Sequence, residues 1–410
     1  MSVTKHILSL IATIIVVTHI FGQNPSDSLK FDPPQTKSEG WFNYLQFTVY
    51  NGQHLGDQKK KQTLDGDFWG AGIRLGKQTS GRKEWQQVHD YPQYGIGISY
   101  FDLGSERIDS MFGKPLSVYF FYGAPIAHSN NFRLNADLEI GLSTAFHAYD
   151  PETNPDQTII GATTNLHSSL SLELYYQLSR RMDLALGLSF MHFSNGKIYT
   201  PQEGINLFGL NLSTVYHYDP KPGKRTDGQK KLRPEFIQND LEPFKPGSEW
   251  SIMGSIGTVQ IDPGNWKHTN GELDTTKNVG PRYTTNSITL EYAYQRWRKW
   301  ELTAGVDFFY DRSLRHIYSD KMPSETGFSD KAFYGSHIGL KYNVAKVSAL
   351  FNYGRYLYKP FPERGKWYMR IGGRFKVASK IDLQLSLKTR NGRIADWIEW
   401  GVVYKFRKTG

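Results

Sequence analysis

The stretch Phe190-Met191-His192-Phe193-Ser194-Asn195-Gly196 sets an imidazole and a hydroxyl two positions apart. On an extended strand such side chains share a face, with Cα atoms roughly 6–7 Å apart. That is within reach of a hydroxyl–imidazole hydrogen bond, the pairing by which a base activates a nucleophile. A third polar group, Asn206, sits near the start of the next regular segment, Ile205-Asn206-Leu207-Phe208-Gly209-Leu210-Asn211-Leu212. A group that orients the imidazole would complete a nucleophile, base and orienter set for acyl transfer. Polar residues at the end of an apolar strand can equally mark the edge of a membrane's hydrocarbon band. Spacing alone leaves both readings open.

What must position these residues is a strand, and the chain is full of them. Leu184, Leu186, Leu188 and Phe190 alternate with Asp183, Ala185, Gly187 and Ser189. The same period of two runs through 132–146, 168–179, 300–311 and 379–389, with Leu, Ile, Phe and Tyr on one face and charge, Gly and Ser on the other. In this register His192 and Ser194 share the apolar, even-numbered face. Asn206 shares the face of Phe208, Leu210 and Leu212.

Composition fits the pattern. The 410 residues are 39% hydrophobic yet 14% aromatic, with 39 glycines and no cysteine. This is too aromatic for disorder, and beyond the N-terminus it lacks the roughly 20 consecutive apolar residues of a membrane helix. Zero cysteine excludes disulfide frameworks, thiolate zinc sites and Cys nucleophiles. A polar average with dense aromatics and glycine is what a transmembrane β-barrel gives, since every lipid-facing residue is diluted by a polar neighbour.

The pattern predicts an all-β, antiparallel outer-membrane barrel protein of about sixteen strands in two sets of eight. The first set is expected at 43–52, 67–77, 93–104, 115–125, 132–146, 168–179, 182–194 and 205–218. The second is expected at 248–261, 282–297, 300–311, 334–345, 346–356, 367–376, 379–389 and 393–406. Long connections at 53–66, 147–167, 262–281 and 312–333 alternate with short turns such as Ser179-Arg180-Arg181 and Arg298-Lys299, the asymmetry of extracellular loops and periplasmic turns. The connection at 78–92 is long for an inner one. Trp297, Trp300, Trp400, Tyr404 and Phe406 suit an interfacial girdle. Whether the two sets close separately or share one sixteen-strand barrel does not follow from periodicity.

The ends and the middle divide the chain further. Lys5 and His6 precede the apolar run Ile7–Val17, so residues 1–22 read as a cleavable signal peptide, followed by a polar lead-in at 23–40. The chain carries a net charge of +10, and its part after residue 22 carries +9. The expected first barrel unit spans 41–218, a Pro/Gly-rich basic linker 219–247 follows on the periplasmic side, and a second barrel unit spans 248–410.

His192-Phe193-Ser194-Asn195-Gly196, followed by Pro201-Gln202-Glu203-Gly204-Ile205-Asn206, resembles the lipid A 3-O-deacylase (PagL) family of outer-membrane acyl-ester hydrolases. The whole layout looks like the longer outer-membrane proteins known as acyloxyacyl hydrolases. The resemblance, which covers about 43–218, implies Ser194 as nucleophile and His192 as general base, on a barrel wall open to the outer leaflet. Position 206 matches the family's acidic residue, and this chain departs there with Asn; Glu203 is a candidate stand-in. Asn195, Gly196 and Gln202 are candidate oxyanion donors.

An ester hydrolase on the lipid-facing wall of the outer leaflet meets acylated amphiphiles, and lipopolysaccharide dominates that leaflet. Lipid A is anionic, so Lys59, Lys60 and Lys61 in the first outer loop are candidate phosphate contacts, or simply a solvated charge run. The expected reaction needs no metal or cofactor, and His54, His147 and His167 show no ligand spacing. Two other functions stay open: a binding or scaffolding barrel that has lost catalysis, suggested by Asn206, and a pore in the second set, suggested by Asp382, Gln384 and Lys388. Neither nucleic-acid binding nor a particular oligomeric state is indicated.

Overall fold

The computed structural model describes residues 43–56, 63–219 and 232–410, apart from positions 65, 130, 264–265, 269–271, 275, 277, 317–322, 361–363, 393 and 410. The expected signal peptide and lead-in, and most of the expected linker's basic run, lie outside the described residues.

Eight strands form the first sheet: β1 (Tyr44–Leu55), β2 (Asp67–Gln78), β3 (Gln93–Asp102), β4 (Gly113–His128), β5 (Phe132–Phe146), β6 (Asn165–Gln177), β7 (Met182–Ser194) and β8 (Ile205–His217). Each pairs antiparallel with its sequence neighbours, and β1 closes on β8 with Thr48 opposite Ser213. The second sheet contains β9 (Gly247–Gln260), β12 (Arg282–Gln295), β13 (Trp300–Asp311), β14 (Ala332–Val344), β15 (Val347–Tyr358), β16 (Trp367–Lys376), β17 (Ile381–Arg390) and β18 (Ile394–Thr409). It closes where β18 meets β9, with Trp400 opposite Ile256. A two-residue-per-strand hairpin, β10 (Trp266–Lys267) and β11 (Leu273–Asp274), stands in the β9–β12 connection. The chain is thus two closed eight-stranded barrels, not one of sixteen strands.

All sixteen expected strands are present, and several are longer than their alternation. β1 continues to Leu55 because Gln53, His54 and Leu55 pair with Phe208, Leu207 and Asn206. β6 begins at Asn165, opposite Ser143 of β5. Ladder hydrogen bonds carry both strands past the point where the hydrophobic signal fades. The long inner connection at 79–92 is explained by a short helix, Glu84–Val88. Another, Glu106–Phe112, occupies the β3–β4 connection.

The outward faces are apolar and exposed: Val49, Ile98, Phe120, Ile140 and Leu186 in the first barrel, Ile256, Ile288, Ile338 and Val402 in the second. Bare aliphatic surface of this kind, repeated around a closed sheet, is stable only against lipid. Trp297, Trp400, Tyr404 and Phe406 of the expected girdle are exposed too.

Inside, the polar residues pair. In the first barrel Arg74 meets Asp137 at 2.9 Å, Glu173 at 3.5 Å and also Glu139, which takes His167 at 3.0 Å. Tyr44, Tyr119, Phe121 and Tyr175 pack around this group. In the second, Arg370 meets Glu399 at 2.5 Å and Asp307 at 3.1 Å, and His337 meets Asp307 at 2.6 Å. Lys388 contacts Asp396 at 2.5 Å within a cage of Phe309, Phe333, Tyr356, Tyr368 and Trp397. In both interiors buried charge is held by opposite charge.

By compactness the chain has two units. Of the described residues, those within 43–148, 162–194, 203–219 and 232–241 form one, and those within 149–161, 195–202 and 242–409 form the other. Two segments that fall between first-barrel strands in sequence therefore belong to the second unit.

Candidate active site

β7 holds His192 and Ser194 on the parity of its lipid-facing residues, and the residues between and before them anchor the strand end from inside. Phe193 is fully buried, its ring 5.7 Å from Phe101, 5.6 Å from Phe146 and 5.3 Å from His167. Met191 is also buried. With these pinned in the lumen, His192 and Ser194 have one direction left.

Asn206 stands directly opposite His192 in the β7–β8 ladder. Residues facing each other across an antiparallel pair have Cβ atoms about 4.5–5.5 Å apart, so side chains of this size meet. His192 Nδ1 lies 2.6 Å from Asn206 Oδ1, and His192 Nε2 lies 2.9 Å from Ser194 Oγ. An amide oxygen only accepts, so Nδ1 must carry the proton and donate it. Nε2 is then left with its lone pair facing the serine, whose hydroxyl donates to it. That is the tautomer a general base requires.

A loop crosses close to the pair. Gly204 has φ +68°, and a Cβ there would lie 2.8 Å from His192 Cε1 and 3.3 Å from Ser194 Cβ. Only glycine accepts both the left-handed backbone and the approach. His192 and Asn206 are half-buried, and Ser194 is 6% exposed.

The other expected site residues divide. Asn195 is buried; its Oδ1 accepts from the Tyr199 N–H at 3.2 Å and its backbone oxygen from the Ile198 N–H at 3.3 Å, which folds the chain into a turn straight after the serine. Gly196 takes φ +61° in that turn. Gln202 is half-buried and forms an isolated bridge with Ile160. Glu203 is exposed, and the imidazole Nδ1 is taken by Asn206. Lys59, Lys60 and Lys61 lie outside the described residues. His54 bonds the Leu103 oxygen at 2.7 Å, His147 the Ser110 oxygen at 2.8 Å, and His167 is buried on Glu139. Among the described residues, no three His, Asp or Glu side chains gather as a metal site.

Sequence reasoning missed the surroundings of the 195–202 turn. Gln260 and Ile261, some sixty positions further on, hydrogen-bond Thr200, and no local pattern announces a contact of that span.

Comparison with known proteins follows the same division. Residues 69–215 match the family described as Lipid A 3-O-deacylase (PagL), and residues 248–408 match Acyloxyacyl hydrolase, C-terminal domain. The first barrel is thus similar to the lipid A deacylase family and the second to the C-terminal domain of acyloxyacyl hydrolases. Among solved structures, the outer membrane enzyme PagL is similar at 15% identity, covering 41% of this chain and 97% of that one, with a TM-score of 0.29. Neisserial surface protein A matches at 9% identity, 43% and 96% coverage and a TM-score of 0.30. The siderophore receptor PirA from Acinetobacter baumannii matches at 10% identity, 87% and 46% coverage and a TM-score of 0.23. No curated protein matches the chain. The family is one of acyl-hydrolysing enzymes, and its first domain covers β7, His192 and Ser194 together with Asn206 on β8.

Proposed function

We propose that this protein is an outer-membrane serine esterase that removes an ester-linked acyl chain from lipid A. Residues 1–22 would serve as the cleaved export signal. The observation that carries the reading is the continuous hydrogen-bond line Ser194–His192–Asn206 on the outward parity of β7 and β8. A hydrolytic set buried in a lumen would meet water-soluble substrates; one on the outward wall meets lipids.

The steps follow from the tautomer. Ser194 Oγ attacks the ester carbonyl carbon while His192 Nε2 takes its proton. The tetrahedral oxyanion forms beside the turn at Asn195 and Gly196, whose backbone N–H groups are the candidate donors. Collapse breaks the ester C–O bond, and the alcohol oxygen of lipid A leaves as a hydroxyl with the proton returned by His192. Water, deprotonated by His192, then attacks the acyl-serine, and His192 returns the proton to Ser194 Oγ as the fatty acid leaves. Asn206 keeps the imidazole oriented throughout but offers no charge to balance the imidazolium.

That missing charge also favours a second reading, a barrel that binds lipid A without cleaving it. Mass analysis of fatty acid released from lipopolysaccharide by the purified full chain separates the two. Release that disappears in Ser194→Ala supports the esterase; no release from the wild type leaves the binding barrel.

A further inference from the structure

Residues 195–202, which leave the candidate nucleophile directly, cluster with residues 149–161 and 242–409. Within that unit the turn is gripped at several points. The Thr200 N–H donates to Gln260 Oε1 at 2.9 Å, and the Thr200 hydroxyl donates to the Ile261 oxygen at 3.1 Å. The Gln260 N–H donates to the Lys197 oxygen at 3.0 Å, and Lys197 Nζ pairs with Asp262 at 2.8 Å. Gln260 is itself fixed, since its Nε2 donates to the Gly280 oxygen at 3.0 Å. Gln260 and Thr200 are both buried.

The turn needs that grip. Lys197 sits at φ +72°, a conformation a side-chain-bearing residue keeps only where its surroundings impose it. Gly196 precedes it at φ +61°, and a Cβ there would lie 2.4 Å from Ile398 Cγ1, so the backbone approaches β18 as closely as an L-residue forbids. Ile160 meets Gln202 at the far end.

We propose that Gln260, the last residue of β9, is a positioning residue for hydrolysis at Ser194: its side chain and backbone fix the turn that carries the candidate oxyanion donors Asn195 and Gly196. This rests on the esterase reading. It also gives the acyloxyacyl hydrolase C-terminal domain, which contains Gln260, a part in the reaction. Oxyanion donors act only when preorganised, and a displacement of about 1 Å can cost 100-fold.

The test uses the full chain in detergent with lipopolysaccharide, comparing wild type, Gln260→Leu and Gln260→Glu. Leucine removes both side-chain bonds, whereas glutamate keeps the oxygen that accepts from Thr200 but loses the donor to the Gly280 oxygen, and so keeps half of the grip. Each variant is measured for kcat and KM per folded molecule, folded protein being counted by heat-modifiable gel migration. The rate at which a fluorophosphonate labels Ser194 is measured alongside. Expected is a kcat loss of roughly 10–100-fold in Gln260→Leu with KM within about twofold, matched by slower labelling, while Gln260→Glu falls between the leucine variant and wild type. Unchanged kcat in Gln260→Leu, or a loss confined to unfolded protein, overturns the positioning role. A wild type that neither releases fatty acid nor labels removes the esterase reading, and this inference with it. A wild type that labels without releasing fatty acid removes only the lipid A substrate, and the labelling series still decides on Gln260.

Discussion

At the scale of single residues, the family's acidic position is the informative one. Asn206 Oδ1 supplies orientation but no negative charge, so Asn206→Asp should raise kcat, by up to about tenfold if imidazolium stabilisation limits the rate. Asn206→Leu should lower it by roughly 100-fold or more, because the imidazole then loses both its tautomer and its aim. Fatty-acid release from lipopolysaccharide measures both, and an aspartate variant no faster than wild type would show that charge is not the missing element. His192→Gln should abolish release as completely as Ser194→Ala, since residues acting as one unit fail together. The relation of 192, 194 and 206 was legible in the sequence, because a strand's period of two decides faces without knowledge of partners. The burial of Ser194 was not: it depends on a loop folding back, and Gly204's positive φ leaves no signal beyond the glycine itself.

At the scale of elements, Gly204 opens β8 and brings its loop against the imidazole. Gly204→Ala puts a methyl 2.8 Å from His192 Cε1 and 2.9 Å from the Phe193 oxygen, in a left-handed backbone. We expect the barrel to fold and kcat to fall by roughly 10–100-fold, as the imidazole turns off the serine. Normal gel mobility with lost fatty-acid release is the signature; wild-type activity would mean the loop yields freely. The sixteen strands themselves could be read from alternation, whereas their ends could not. β1 and β6 run past their patterned cores because neighbouring strands offer ladder partners there, and a single strand's sequence does not contain its neighbours' lengths.

At the scale of the whole molecule, the sequence left open how the strands close. Period two fixes which side chains face lipid but is silent about which strand pairs with which, so one cylinder and two give the same pattern. Each eight-strand ring has an interior just wide enough to be filled by side chains. Asp382, Gln384 and Lys388, which suggested a pore, are spoken for: Asp382 pairs with Lys405 at 2.8 Å, Gln384 accepts from Arg374 at 2.8 Å, and Lys388 holds Asp396. Planar-bilayer recordings should therefore show no single-channel steps, and a stable conductance would contradict the packed interior. Arg370→Met should destabilise the second barrel by about 3–5 kcal/mol, because Asp307 and Glu399 would lose a buried cation, and urea unfolding followed by tryptophan fluorescence reads the loss.

A serine carried on the outward parity of a membrane strand changes what concentration means for its reaction. Encounter takes place in two dimensions, so velocity should follow the mole fraction of acylated lipid within a leaflet or micelle. Adding inert detergent at constant total lipopolysaccharide should slow turnover by surface dilution, although nothing in the bulk has been diluted.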